Sequence, residues 1–254
     1  MSNDVLVDIK DGVMVVTINR PKSRNAANAA VARGVAAAMD ELDSNGAIRV
    51  AILTGAGNTF CAGMDLAGFV NGELPIVEGR GFAGMCESPP QKPIIAAVEG
   101  YALAGGFELA MACDLIIASD DSKFGLPEAK RGLVAGAGGL MRLPRQISLR
   151  IAKELALVGD AISASRAFDL GLVNRVVEPG SALEAARDMA KAIAANGPMA
   201  VIAAKAIIDE SQNWDTSSMF DRQQKYIDPI FSSKDALEGA KAFAEKRKPI
   251  WEGV

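Results

Sequence analysis

An α/β fold is what this sequence predicts, on three observations. Short continuous apolar runs at 13–18, 48–53, 94–98, 115–119 and 172–177 are each bounded by glycine or polar turns, and several lead into short helices. Such runs, alternating with helices, read as strands of a buried sheet rather than a half-solvated one. Half of the 254 residues are hydrophobic, enough for a sizeable core. From Ser181 onward the composition shifts and the rest reads as helix.

The elements follow in order. VMVVTI at 13–18 is the first predicted strand, closed by Asn19-Arg20-Pro21, where Pro21 fixes its own φ and biases Arg20 towards an extended conformation. The loop PKSRNAAN leads to a helix over 27–42, with Val31, Val35, Ala38, Met39 and Leu42 near one face. The strand at 48–53 runs into TGAGNTFCAGMDL, where Gly55, Gly57 and Gly63 mark tight bends or close approach. Residues 67–90 show no clean periodicity and read as a mobile cover with some helix, ending at Pro89-Pro90.

The next segment, 94–128, organises the chain: an apolar strand, a glycine turn (Gly100, Gly105, Gly106), a short helix carrying Glu108, a second strand at 115–119, and a loop ending at Glu128. Beyond it a glycine turn enters a helix near Gly138, and 149–158 is helical. Ser163 caps a short helix that ends at Gly171, and 172–177 is a strand. Four helices are expected at 181–195, 198–210, roughly 216–227 and 234–245, with Pro198 at a first helical position. The division expected is a core over 1–199 and a helical region over 200–254.

Composition removes whole classes of function. The net charge of −4 gives no basic footprint for nucleic acid. No apolar run reaches about eighteen residues, so no membrane span is predicted. The start, MSNDVLVDIKDG, lacks the basic and apolar regions of a signal peptide, and a cytoplasmic protein is expected. There is no histidine, which removes Ser-His-Asp and Cys-His systems and every histidine metal site. Three cysteines without a CxxC pairing argue against thiolate zinc or a disulfide framework, and Cys61 and Cys113 read as small core residues. Acid–base work then falls to Asp, Glu, Lys, Tyr, Cys or backbone dipoles.

Glu108 stands among Phe107, Leu109, Ala110 and Met111, where a charge is costly to bury unless paired or protonated. It reads equally as an ordinary first-turn acid favoured by the helix dipole. Glu128, after Pro127 at a helix start, is ordinary taken alone. Together, without histidine and beside a glycine turn, the two form a candidate acid/base pair. The turn itself is neither a phosphate loop nor GxGxxG; it reads as tight packing or as an N–H donor for an oxyanion. The loop CAGMDL is the candidate for a second donor, or else a turn with Asp65 starting a helix. Lys22 and Arg24 could meet phosphates, though solvated charge is the simpler reading. So it is for Lys246, Arg247 and Lys248, with Trp251 a weak hint of docking on another surface.

These motifs carry a resemblance. INRPKSRNAAN, VAILTGAGNTFCAGMDL, KPIIAAVEGYALAGGFELAMACDLIIAS, KFGLPEAKRGLVAGAGGLMRLPR, SASRAFDLGLVNRVV and AFAEKRKPIWEG resemble, over essentially the whole chain, the crotonase superfamily of enoyl-CoA hydratases and isomerases. The resemblance implies a spiral of ββα units with a C-terminal helical region that builds trimers, commonly paired into hexamers. It implies oxyanion-hole N–H groups on Met64 and Gly105 and catalytic carboxylates on Glu108 and Glu128, twenty residues apart. Coenzyme A is expected along the loop holding Lys22, Arg24 and Ala26, and around Ala62, Asp65 and Leu66, with a basic residue of the C-terminal tail helping to hold the ADP phosphate. The substrate is an acyl-CoA thioester, without a prosthetic group or metal. The implied reaction is hydration of a 2-enoyl-CoA; alternatives are another acyl-CoA reaction of the family (crotonobetainyl-CoA hydration, isomerisation, thioester hydrolysis) or an idle CoA-binding subunit. Ala104, Phe107 and Ala135 depart from residues frequent in the family. FELA, LPEAK, RLP and the tail look nearest to the carnitine-related branch, and Met64 is bulkier than the frequent alanine.

Overall fold

The computed structural model describes residues 3–253. The chain opens with a hairpin of β1 (Val5–Lys10) and β2 (Val13–Ile18), turned at Asp11 and Gly12, both at positive φ. β1 is an element the apolar-run criterion missed: VLVDIK is mostly exposed and mixed with charge, as an edge strand can be. Asn28 then caps α1 (Ala29–Ser44) by accepting the N–H of Val31, and the predicted face of Val31, Val35, Ala38, Met39 and Leu42 is buried. β3 (Val50–Gly55) lies parallel to β2.

Residues 67–90 divide in two, and only part of them is a cover. α2 (Leu66–Val70) and β4 (Ile76–Val77) are short and largely exposed, while β5 (Gly81–Phe82) is short with Gly81 buried and Phe82 half-buried. Ala83, Met85 and Cys86, in contrast, belong to the core. Gly84, at φ +78, passes so close to α1 that a Cβ would stand 2.1 Å from the Ala32 carbonyl oxygen. The far end of the cover is therefore anchored.

The elements that follow are β6 (Ile94–Val98), β7 (Tyr101–Leu103), α3 (Gly105–Met111), β8 (Leu115–Ser119), β9 (Lys123–Gly125) and a 3₁₀ turn at Pro127–Arg131. Then come α4 (Gly139–Gln146), α5 (Leu149–Val158), β10 (Ile162–Ser163), α6 (Ala164–Asp169), β11 (Arg175–Val177) and α7 (Ala182–Ala194). The Ser163 hydroxyl caps α6 as its sequence suggests, accepting the Arg166 N–H. The chain closes with α8 (Pro198–Ser211), α9 (Met219–Phe231) and α10 (Lys234–Ala244). α9 runs past its predicted end and takes in Pro229, which lacks the N–H that another residue would give to the Lys225 carbonyl and stands two residues before the helix ends. No single helix among the described residues is long and apolar enough to cross a membrane.

Six strands form the main sheet in the order β1-β2-β3-β6-β8-β11, parallel except for β1. Alternate residues feed two cores. Met14, Val16 and Ile18 face the larger one with α1; Val13 and Val15 face a smaller one closed by Ala182, Ala186 and Ala190 of α7. A second, three-stranded sheet runs β10-β9-β7.

The spiral is visible in how the sheets join. β6 turns at Gly100 into β7 and then α3; β8 turns into β9 and then the 127–131 turn. β7 pairs parallel with β9, placing Ala102 beside Phe124, and Cys61 makes a parallel bridge to Ala102. Cys61, Ala102 and Phe124 are thus equivalent points on three successive rungs. Parallel rungs lie about 4.8 Å apart, so whatever follows each point at a similar offset is brought together in space.

Candidate functional site

Three of the candidates follow those rungs at such offsets. Met64 lies just beyond Cys61, Gly105 just beyond Ala102, and Glu128 just beyond Phe124. The first two rungs touch at their ends. A Cβ on Gly63 would stand 2.9 Å from Ala104 Cβ and 3.4 Å from the Gly105 nitrogen, so only glycine lets the loops meet. Ala27 bridges Met64 by donating to the Gly63 carbonyl and accepting the Asp65 N–H. That bridge uses the groups on either side of Met64 and turns Met64's own N–H away from it. Gly105 is the first residue of α3, so its N–H is among the donors a helix leaves unused at its start. The Phe82 ring lies against Gly105, where a Cβ would stand 2.5 Å from Cζ. Before Gly105, Ala104 holds φ 53°, ψ −131°, a conformation that normally requires glycine.

Glu108 is buried at 2 % exposure in the first turn of α3. Its Oε1 accepts the N–H of Ala137 at 2.7 Å and of Gly139 at 2.8 Å. Burial raises its pKa; the two amides and the positive charge of Arg142 oppose that rise. Gly139 permits this grip by having no side chain, because a Cβ there would stand 2.8 Å from Glu108 Cγ. Sequence reasoning placed the glycine turn near 138 but did not see that it holds Glu108. The clustered glycines Gly136, Gly138 and Gly139 were the available signal.

Glu128 sits in the 127–131 turn, also buried. Its Oε2 is enclosed and meets no hydrogen-bond partner among the described residues. Burial raises its pKa first, and the negative charge of Glu108 raises it further. The two carboxylates therefore share one electrostatic environment. Beside the 136–139 turn that holds Glu108 opens a cavity of about 480 Å³ whose walls include Phe82, Cys86, Ala137, Gly138, Met141 and Arg142. It offers room next to the grip on Glu108. The three cysteines are buried free thiols.

The remaining candidates collect on one edge. Lys22 and Arg24 are exposed, Ala26 is half-buried, and the Ala62 N–H donates to the Arg24 carbonyl, tying the 20–26 loop to the 61–66 loop. Leu66 is exposed as the first residue of α2. Asp65 caps α2 through the N–H groups of Ala67 and Gly68, and pairs with Arg20 at 2.9 Å, which holds its carboxyl below the usual range. Two residues not singled out in the sequence shape this edge. Arg20 also donates to the Ala26 carbonyl. Asn25, fully buried at φ 54°, donates to the carbonyls of Ala56 and Thr59 and accepts the Arg20 N–H.

The C-terminal tail behaves differently from its sequence reading. Trp251 docks on its own chain, its Nε1 donating to the Ala195 carbonyl and its ring lying beside Gly197 and Gly239. Arg247 is paired with Glu238 and Glu245 rather than simply solvated.

Known proteins resemble the chain along its whole length. The family model for enoyl-CoA hydratase/isomerase matches residues 8–254. Carnitinyl-CoA dehydratase of Proteus mirabilis is 39 % identical over 261 residues, and that of Salmonella typhi 38 % over 265, each match covering both chains completely. Among solved structures, an enoyl-CoA hydratase from Mycobacterium marinum superposes with a TM-score of 0.98 at 59 % identity, covering both chains in full. One from Bacillus anthracis does so at 0.92 and 36 %, covering 99 % of this chain and 100 % of that one.

Proposed function

The chain belongs to the enoyl-CoA hydratase/isomerase family, and from that premise we propose that it adds water across the 2,3 double bond of a 2-enoyl-CoA thioester. The observation that carries this reading is the meeting of two backbone donors and two buried carboxylates on successive rungs of one spiral. The N–H groups of Met64 and Gly105 receive the thioester oxygen, where negative charge develops as the enolate forms. Glu108 takes a proton from water as the water oxygen bonds to Cβ and the double-bond electrons move to the thioester oxygen. As the enolate collapses, Glu128 delivers a proton to Cα. The reverse sequence removes water from a 3-hydroxyacyl-CoA.

Coenzyme A lies along the tied loops, against Lys22, Arg24, Ala26, Ala62, Asp65 and Leu66, and the chemistry needs no prosthetic group. Residues 200–254 form the assembly region of a cytoplasmic homotrimer or pair of trimers. Exposed Phe220, Phe231, Leu237 and Phe243 on α9 and α10 support that assignment.

The test is Glu108→Gln and Glu128→Gln assayed on crotonyl-CoA. Loss of hydration in both is the expected outcome; wild-type rates in both would remove the mechanism. A second reading follows from the carnitinyl-CoA dehydratase relatives: the acyl group is a short chain bearing a quaternary ammonium. A panel of short, medium and branched enoyl-CoAs with crotonobetainyl-CoA, read by mass spectrometry, decides between them.

A further inference from the structure

Arg142 lies in the first turn of α4, and its guanidinium reaches two segments far apart in sequence. Nη2 donates to the Cys86 carbonyl at 2.7 Å and Nη1 to the Ala137 carbonyl at 3.3 Å. To do so it crosses directly over Gly138, where a Cβ would stand 2.2 Å from Nη1. Each acceptor belongs to a different side of the site. Ala137 gives its own N–H to Glu108. Cys86 is bonded through its N–H to the Phe82 carbonyl, and the Phe82 ring rests on Gly105.

We propose that Arg142 is a positioning residue that locks the anchored end of the cover to the turn gripping Glu108, so that the oxyanion donor and the carboxylate keep one fixed relation. This inference rests on the hydratase reading above and adds a residue that acts through Ala137 and Cys86, the backbone groups it holds. A lysine cannot replace it fully. One ammonium is a point charge on a flexible stem, whereas the planar guanidinium offers separate N–H groups at fixed angles to two carbonyls.

The charge has a second consequence. The groups facing Glu108 are Arg142 from α4, Cys86 from the cover and Glu128 from the 127–131 turn. Arg142 is the one cation of that set, and it favours the ionised carboxylate. Removing it leaves burial opposed by the two amides alone.

The experiment compares wild type, Arg142→Met and Arg142→Lys. Steady-state hydration of crotonyl-CoA is measured beside an infrared titration of the Glu108 carboxyl, taken as the difference from Glu108→Gln. In Arg142→Met, kcat falls by about tenfold or more while KM moves by less than about threefold, because positioning is lost and ground-state binding is not. The Glu108 band titrates at higher pH. Arg142→Lys returns the titration to its wild-type place and recovers only part of kcat. Should Arg142→Met fail to give a folded circular dichroism spectrum, Arg142→Lys decides alone: full wild-type kcat overturns the proposal. So does an Arg142→Met protein that loses activity with the Glu108 titration unmoved, since that is the mark of general destabilisation. The infrared measurement needs no turnover, so a failed hydratase reading and a failed Arg142 proposal give different results.

Discussion

Glu108 and Glu128 are two buried carboxylates a short distance apart, raised in pKa by the same cause, yet the turns that hold them differ. Glu108 is gripped: one oxygen takes two backbone N–H groups from the 136–139 turn. Glu128 is enclosed but ungripped, with Oε2 meeting no donor among the described residues. A carboxylate that accepts two amides has a fixed orientation and a supported negative charge. One whose enclosed oxygen meets no donor, and whose only backbone donor is its own N–H, is favoured in its protonated state and free to give that proton away. The contrast is the physical basis for assigning water activation to Glu108 and proton delivery to Glu128.

The largest expected effect comes from the two glutamine variants. Each lowers kcat on crotonyl-CoA by about 10²–10⁴, the usual worth of a positioned acid or base. If Glu128→Gln were as active as wild type, the pair would reduce to one working group.

Gly139→Ala is next, and it tests the grip alone. The new methyl would stand 2.8 Å from Glu108 Cγ and 3.0 Å from Oε1, so the carboxylate must move. We expect kcat to fall by about 10- to 100-fold. Helical structure should persist, since alanine favours a helix more than glycine does. A wild-type rate would mean that the grip does not set the geometry.

A smaller effect is read in stability against pH. Glu128 has a folded-state pKa above its ordinary value of 4.5. Its contribution to stability is therefore fully present below that value and is lost as pH rises through the raised pKa. The neutral isostere escapes the loss, so Glu128→Gln melts higher than wild type at pH 7, and the gap narrows as pH falls towards 4.5. Thermal melts across that range check it; a constant gap would sever the effect from ionisation.

The smallest is Ala104→Gly, beside the gripped residue's helix. Relief of a conformation that costs about 1–3 kcal/mol in a non-glycine residue outweighs the about 0.5–1 kcal/mol of added chain entropy. The melting temperature should rise by the equivalent of about 1 kcal/mol; a fall would show that the Ala104 methyl contact with Gly63 matters more than the strain.

Much of this was legible beforehand, for local reasons. Apolar runs and 3.6-residue periodicity report burial directly, which is why α1, β6, β8 and α5 fall where the pattern puts them. The failures are instructive. β1 escaped because an edge strand mixes charge with apolar residues. The cover at 67–90 reads as mobile from its sequence because its buried part, Ala83 to Cys86, carries no periodicity; a glycine, Gly84, seats that part against α1.

What the sequence determined by itself is the fold class, the main buried strands and most of the longer helices, and which residue types are available for chemistry. Those follow from neighbours along the chain and from the residues that are missing, histidine above all. Only the tertiary structure decided the partnerships: Ala137 and Gly139 on Glu108, Arg142 between Cys86 and Ala137, Arg20 on Asp65, Trp251 on its own chain. Most of these join groups dozens of residues apart. A hydrogen bond is made with whatever packing brings within about 3 Å, and no pattern of adjacent residues records which group that will be.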